Sequence, residues 1–166
     1  MDEKNFSTRY DVRKLQASDL ALLFALCRQN TFYYQHCPPF VTEDTLLEDM
    51  KKLPPAKTLK DKYYVGFFDG TDLVAVMDFI DRYPTEKEGF IGFFMVAKDR
   101  QEKGLGGFLV EEFLQYLKTS GYKGVRLGFV ETNHRAENFW KTHGFREICT
   151  SDACGSYRVV IAKRRL

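Results

Sequence analysis

The chain has 166 residues, and its 25 Lys plus Arg against 23 Asp plus Glu leave a formal net charge of only +2. This balance excludes the basic field typical of nucleic-acid-binding domains, and 44% hydrophobic with 29% charged residues exclude long disorder. The four cysteines form no Cys-x-x-Cys pair, which predicts a cytoplasmic protein without a metal site. No apolar run approaches the roughly 20 residues of a membrane span, so we also expect no membrane contact.

The first third of the chain predicts one strand and two helices. Alternation over residues 10–15 is typical of a short strand, and an apolar stripe from Leu22 to Asn30 indicates a helix. Thr42 followed by two acidic residues begins a second helix, which Pro54 and Pro55 stop. Residues 31–40 between the helices are rich in aromatic residues and are expected to form a connection.

The remaining elements predict a mixed sheet. Residues 63–68 and 73–80 flank an Asp-Gly turn and, with residues 90–96, form three antiparallel strands. A helix from Gly104 and a strand over 125–130 then make a crossover, which implies one parallel pair. A short helix capped by Asn133 and a closing hairpin complete the chain.

Written in chain order, the predicted elements are β-α-α-β-β-β-α-β-α-β-β. We therefore expect an α+β fold, with a mixed and mostly antiparallel sheet of about seven strands flanked by four helices. The length suits one domain over residues 1–166.

A glycine-rich turn is the segment most informative about chemistry. Three glycines, Gly104, Gly106 and Gly107, open the helix that follows the strand ending at Val96. Helix-start N–H groups without side chains in front of them bind phosphate or pyrophosphate. No Lys-Ser or Lys-Thr follows, which excludes a P-loop. A plain tight turn stays open, and so does a Rossmann-like dinucleotide enzyme with Glu131 as its ribose-binding acid.

Two segments together resemble the GCN5-related N-acetyltransferase (GNAT) superfamily. Residues 101–106, Gln-Glu-Lys-Gly-Leu-Gly, are similar to its Gln/Arg-x-x-Gly-x-Gly/Ala pyrophosphate loop. Residues 133–145 are similar to its second block, in which an Asn, an Ala, an aromatic pair and a final Gly-Phe recur. The resemblance implies the fold predicted above and transfer of an acetyl group from acetyl-CoA to a primary amine of a small molecule or peptide.

The resemblance also implies a cofactor site where the strand ending at Val96 splays from the strand over 125–130. Backbone groups of Phe94, Met95 and Val96 would bond the pantetheine arm, and Asn133, Phe139 and Trp140 would contact the cofactor. Backbone N–H groups of one continuous segment would hold the pyrophosphate: Gln101, Glu102, Lys103, Gly104, Leu105, Gly106 and Gly107. The acceptor would lie near Tyr33, Tyr34 and His36 of the aromatic connection.

The catalytic groups are less determined by the resemblance. The Phe94 N–H would stabilise the oxyanion, and the base is Glu88 or Asp78. Trp140 stands where relatives often have the tyrosine that protonates the thiolate, so Tyr157 or His143 would be the substitute, or the thiolate would leave without a dedicated acid because thiol pKa values lie near 8.5. This departure keeps a second hypothesis open, a non-catalytic module that binds or senses acyl-CoA, and a homodimer also stays open.

Overall fold

A seven-stranded sheet organises the chain in the computed structural model, which describes residues 1–152 and 157–166. The strands are β1 Asp11–Lys14, β2 Lys62–Asp69, β3 Asp72–Ile80, β4 Glu88–Val96, β5 Gly124–Val130, β6 Arg146–Ser151 and β7 Val159–Arg165. The helices are α1 Leu20–Arg28, α2 Thr31–His36, α3 Glu43–Lys51, α4 Leu105–Thr119 and α5 His134–Thr142. Within the described residues, no helix combines the length and apolar character that crossing a bilayer requires.

The strand order is β1-β2-β3-β4-β5-β7-β6, and only β4 and β5 pair in parallel among the described strands. The predicted α+β fold with a mixed, mostly antiparallel sheet is therefore confirmed. A dinucleotide-binding fold needs a mostly parallel sheet, so the Rossmann-like alternative is wrong. Glu131, its proposed ribose-binding acid, instead lies 3.5 Å from Arg158.

The two faces of the sheet are covered by different helices. A larger core includes Phe79 of the sheet and Leu109 and Phe113 of α4, all fully buried. A second core on the opposite face joins Leu23 of α1 and Leu46 of α3 to the sheet. The side-chain alternation of each strand supplies apolar residues to both faces at the centre of the sheet.

One helix was not expected from the sequence. The aromatic connection forms α2, so the described chain has five α-helices instead of four. Aromatic residues are only moderate helix formers, which is why the segment reads as a loop. Tertiary packing overrides that preference, since the Tyr33 ring lies 5.7 Å from the ring of Phe93 on β4.

The parallel pair opens at its carboxyl end. Pairing covers Glu88–Ile91 of β4 against Gly124–Leu127 of β5, although both strands continue beyond it. On the other side of β4, Asp78 is opposite Phe93 and Phe79 is opposite Ile91, so Gly92 is the extra residue of a β-bulge. A bulge bends its strand locally, and the divergence from β5 begins at this residue.

Candidate active site

A cavity of about 710 Å³ lies at the splayed ends of β4 and β5. Its walls come from the end of β4, the glycine-rich turn, α5 and the α1–α2 junction. Such a concave site between diverging strands is large enough for a substrate with an extended arm.

The glycine-rich turn forms one end of the cavity. Glu102 and Gly104 have positive φ angles of 63° and 80°, and they direct the chain into α4. The first intrahelical hydrogen bond joins the Phe108 N–H to the Gly104 carbonyl. The N–H groups of residues 102–107 donate to no other group among the described residues, whereas the Gln101 N–H, also predicted to hold the pyrophosphate, donates to the Lys98 carbonyl at 3.4 Å. A 15-residue helix adds its positive dipole end, so the turn suits a pyrophosphate.

Side chains tie this turn to β4. Gln101 donates through Nε2 to the Val96 carbonyl at 2.8 Å and to Asn30 Oδ1 at 2.5 Å. Asn30 is buried and donates to the Leu26 carbonyl at 3.0 Å. Arg135 of α5 reaches Glu102 at 2.9 Å across the cavity mouth. Sequence reasoning missed Asn30 and Arg135, and the only local signal was a polar residue ending an apolar helix stripe.

The backbone of β4 presents alternating residues to the gap. The Ala97 N–H donates to the Val74 carbonyl of β3, and the Met95–Val76 pair continues that ladder by alternation. The backbone groups of Phe94 and Val96 therefore point away from β3 and toward the gap. Met95 also lines the cavity, but its backbone groups belong to the β3 ladder, so the predicted backbone bond from Met95 to the pantetheine arm is corrected.

The second motif supplies the wall opposite β4. Asn133 is buried, and its Oδ1 accepts the Ala136 N–H at 3.0 Å, which caps α5 as predicted. The Phe94 ring lies 6.3 Å from that of Phe139 and 6.0 Å from that of Trp140. Both aromatic residues line the cavity and also pack in the core. A direct contact of Asn133 with the cofactor stays a prediction.

Glu88, one of the two predicted bases, lies at the opposite end of β4. Its carboxylate accepts hydrogen bonds from Arg126, at 2.7 Å, and from Lys163. Although burial raises the pKa of Glu88, these two hydrogen bonds outweigh it and hold the pKa below its ordinary value. Phe94 is the sixth residue after Glu88, roughly 20 Å along a strand. This position does not support a role as base.

Asp78, the other predicted base, lies close to the end of β4. It is opposite Phe93 in the β3–β4 register, and a Cβ placed on exposed Gly92 would lie 2.8 Å from its Oδ2. Burial raises the pKa of Asp78 to about 6, while Lys62, at 2.7 Å, counteracts part of that rise. Oδ1 is buried and has no hydrogen-bond partner among the described residues, and Asp78 lies outside the cavity walls.

The two predicted acids lie on different parts of the structure. His143 lines the cavity at the glycine-rich end, where a Cβ on Gly107 would come within 2.8 Å of its ring. Its Nδ1 is 3.0 Å from Glu111 Oε1. The Tyr157 hydroxyl is 3.1 Å from Cys37 Sγ at the end of α2, and this side chain does not line the cavity.

Tyr33, which sequence reasoning assigned only to acceptor binding, also carries a hydroxyl group. It lines the cavity, and its ring packs on Phe93, the neighbour of Phe94. Burial, with the nearby Cys37, raises the pKa of Tyr33 well above its ordinary value, so the hydroxyl stays protonated at neutral pH.

The other two predicted acceptor residues lie outside the cavity walls. The Tyr34 ring packs 5.2 Å from that of Phe40, and burial raises the pKa of its hydroxyl. His36 Nδ1 is 2.9 Å from Thr132 Oγ1, a contact that joins α2 to the segment before α5. Of the three predicted residues, only Tyr33 reaches the cavity.

Metal ligands do not cluster in the described part of the chain, where no group of three or more His, Cys, Asp or Glu side chains is placed to hold an ion. Cys154, one of the four cysteines, lies outside the described residues.

Comparisons with known proteins agree with this geometry. The family model described as Acetyltransferase (GNAT) family matches residues 22–145. A crystal structure of an acetyltransferase from Thermus thermophilus is similar, with a TM-score of 0.78 and 20% identity over 95% of this chain and 97% of that chain. The PaiA N-acetyltransferase of Thermoplasma acidophilum, solved with coenzyme A, has a TM-score of 0.69 and 18% identity over 95% of this chain and 99% of that chain.

A third solved structure has the same fold. The ribosomal-protein-S18-alanine N-acetyltransferase of Escherichia coli has a TM-score of 0.66 and 15% identity, over 94% of this chain and 93% of that chain. No curated protein sequence matches the chain. Identities this low relate the folds alone and leave the acceptor to be argued from the site itself.

Proposed function

Because the chain belongs to the acetyltransferase (GNAT) family, we propose that it transfers the acetyl group of acetyl-CoA to a primary amine by direct attack on the thioester. The observation that carries this proposal is the cavity between splayed β4 and β5, which ends at a turn of unpaired N–H groups. An extended arm between the strands and a pyrophosphate at the turn use these two features together.

Acetyl-CoA fits the cavity along its length. The N–H groups of residues 102–107 and the start of α4 hold the pyrophosphate, and the gap-facing backbone groups of Phe94 and Val96 bond the pantetheine arm. Phe139 and Trp140 pack against the apolar parts of that arm, since both line the cavity. The arm then brings its thioester to Phe94.

The chemistry needs a donor for the oxyanion and a base for the amine. The Phe94 N–H faces the gap and is the donor. Loss of a comparable donor costs about 2.7–4 kcal/mol of transition-state stabilisation. An alkyl ammonium is mostly protonated at pH 7, so a base must take its proton. Asp78 does not itself line the cavity, and its side chain is only 14% exposed beside Gly92, so it takes that proton through a water molecule.

The leaving thiolate receives its proton from Tyr33. A thiol pKa lies near 8.5, so the thiolate is already a fair leaving group and the proton contributes modestly. Trp140, at the position where the family often has tyrosine, packs against the cofactor instead.

A melting assay and a thiol-release assay test the proposal. Acetyl-CoA at 100 times its dissociation constant stabilises the fold by about 2.7 kcal/mol, which is a shift of roughly 5–11 °C at this chain length. We expect that shift with acetyl-CoA and none with NADH. We also expect primary amines to accelerate free-thiol release above the hydrolysis background. A melting shift without acceleration by any amine would favour the non-catalytic binding module.

A further inference from the structure

A second cavity, of about 670 Å³, lies at the far end of β5, β7 and β6 and is lined mainly by basic side chains. Arg126 of β5 is opposite Lys163 of β7, and Lys163 is opposite Arg146 of β6. Residues opposite one another in adjacent strands project to the same face, so three cations form one row. Arg165 lies two residues beyond Lys163 and joins them on that face. We call these four residues the basic row.

The basic row is not neutralised within the described residues. Glu88 binds both Arg126 and Lys163, so one carboxylate serves two cations. Arg146 and Arg165 are exposed, and neither lies within 4.0 Å of a carboxylate among the described residues. Like charges opposite one another destabilise a sheet, and an external anion would relieve that repulsion.

The basic row shares a sheet face with the proposed base. Ile91 packs in the core with α4, so Glu88 and Phe90 project to the other face of the sheet. Phe93 packs on that other face with α1 and α3, and Asp78, which is opposite Phe93, projects the same way. Phe90 is opposite Arg126 in the β4–β5 register, and Gly92 follows two residues later. Along this face Arg146 therefore lies roughly 16 Å from Gly92, which is about 7 Å along β4 and three strand spacings across the sheet.

An extended peptide spans that distance in about five residues. We propose that the basic row binds acidic side chains of a peptide acceptor, four to six residues from the amine that is acetylated. The inference rests on the proposed function and narrows its acceptor to an acidic peptide.

The charge of the basic row argues against two other ligands, a second copy of this chain and a nucleic acid. A second copy related by a two-fold axis would bring the same unpaired arginines toward each other. A nucleic acid presents a phosphate every few ångströms and needs a longer basic track than two unpaired arginines. A short peptide segment with a few carboxylates matches the small number of unpaired cations.

Two peptides and two charge variants test the inference. The peptides share a free N-terminal amine and differ only in Glu or Gln at positions 4–6. Arg146→Glu/Arg165→Glu reverses the unpaired cations. Lys60→Glu/Lys118→Glu is the matched control, because both lysines are exposed, have the same charge and do not line either cavity. Peptide binding by fluorescence anisotropy and kcat/KM by thiol release are measured at low and high salt.

We expect the wild-type protein and the control to prefer the Glu peptide about fivefold at low salt, and the preference to shrink at high salt. Arg146→Glu/Arg165→Glu should lose or invert it. Equal binding and equal turnover of both peptides by the wild-type protein would overturn the inference and leave acetyl transfer intact. Binding that follows this pattern without transfer to any amine would support the basic row and refute the proposed reaction. Labelled Glu peptide can also be displaced by unlabelled Glu peptide or by a single-stranded oligonucleotide. Displacement by the oligonucleotide at the lower concentration would overturn the choice of an acidic peptide as the ligand.

Discussion

Lys62→Met tests the role of Asp78 as the base. Lys62 Nζ lies 2.7 Å from Asp78 Oδ2, and both side chains are largely buried. The other groups that face Asp78 are Tyr64 of β2 and Asp49 of α3, and Asp49 raises the Asp78 pKa further. Methionine has a similar length and no charge, so the substitution removes the main influence that keeps the Asp78 pKa down to about 6.

Coulomb's law with the dielectric constant of water gives the smallest rise in the Asp78 pKa that Lys62→Met should cause. Two unit charges 2.7 Å apart then interact by about 1.5 kcal/mol, which is about 1.1 pKa units. We expect the acidic limb of kcat/KM to move from about pH 6 to about pH 7 or above. The limb moves upward because the base acts as a carboxylate, and a higher pKa leaves it protonated to higher pH.

At pH 6 the ionised fraction of Asp78 should fall from about a half to below a tenth, so kcat/KM falls about sevenfold while its alkaline plateau is retained. The assay is thiol release against pH with one amine, whose own titration is common to all variants. Lys60→Met is the control, since Lys60 is exposed two residues away. A Lys62→Met protein that melts cooperatively but keeps its acidic limb at pH 6 would refute Asp78 as the base.

Three further substitutions probe other parts of the site. Gly106→Glu should abolish the acetyl-CoA binding that calorimetry detects, because the new carboxylate meets the pyrophosphate. Gly106→Ala should keep the acetyl-CoA affinity within a few-fold, because its Cβ makes ordinary contacts at 3.4 Å. Unchanged affinity in Gly106→Glu would mean that the turn does not hold phosphate. Gly92→Ala should lower kcat about tenfold at unchanged acetyl-CoA affinity, since its Cβ would lie 2.8 Å from Asp78; a loss of affinity alone would contradict this. Tyr33→Phe should lower kcat about tenfold, and Trp140→Tyr should change it less than twofold; a large rise in Trp140→Tyr would show that leaving-group protonation had been limiting.

The fold was largely predictable because its signals are local. The Asp69-Gly70 turn, the helix start at Gly104 and the cap at Asn133 each depend on residues within a few positions, and all three appear in the structure. The α2 helix was not predictable in this way. Its aromatic residues are stabilised by packing on β4, which local preference does not encode.

The candidate site was predictable only where a motif spans it. The residues of the glycine-rich turn and of α5 lie around one cavity, and their order in the sequence indicates this. The choice between Glu88 and Asp78 was not predictable, because it depends on which carboxylate the folded chain binds with two cations. Asn30 forms hydrogen bonds with Val96 and Gln101, which lie 66 and 71 residues further along the chain, and no local sequence pattern indicates such contacts.

The bulge at Gly92 links the two halves of the proposed reaction. The extra residue lies where β4 and β5 stop pairing, after Ile91 and Leu127, and beyond it the Phe94 N–H faces the gap. The same residue lacks a side chain and is exposed beside Asp78. Gly92 therefore lies where β4 and β5 separate, on the side of the thioester, and it also leaves room beside Asp78, on the side of the amine. Asp78 is opposite Phe93, so the proposed base and the proposed oxyanion donor, Phe94, lie one residue apart in register across adjacent strands, a separation fixed by the sheet itself.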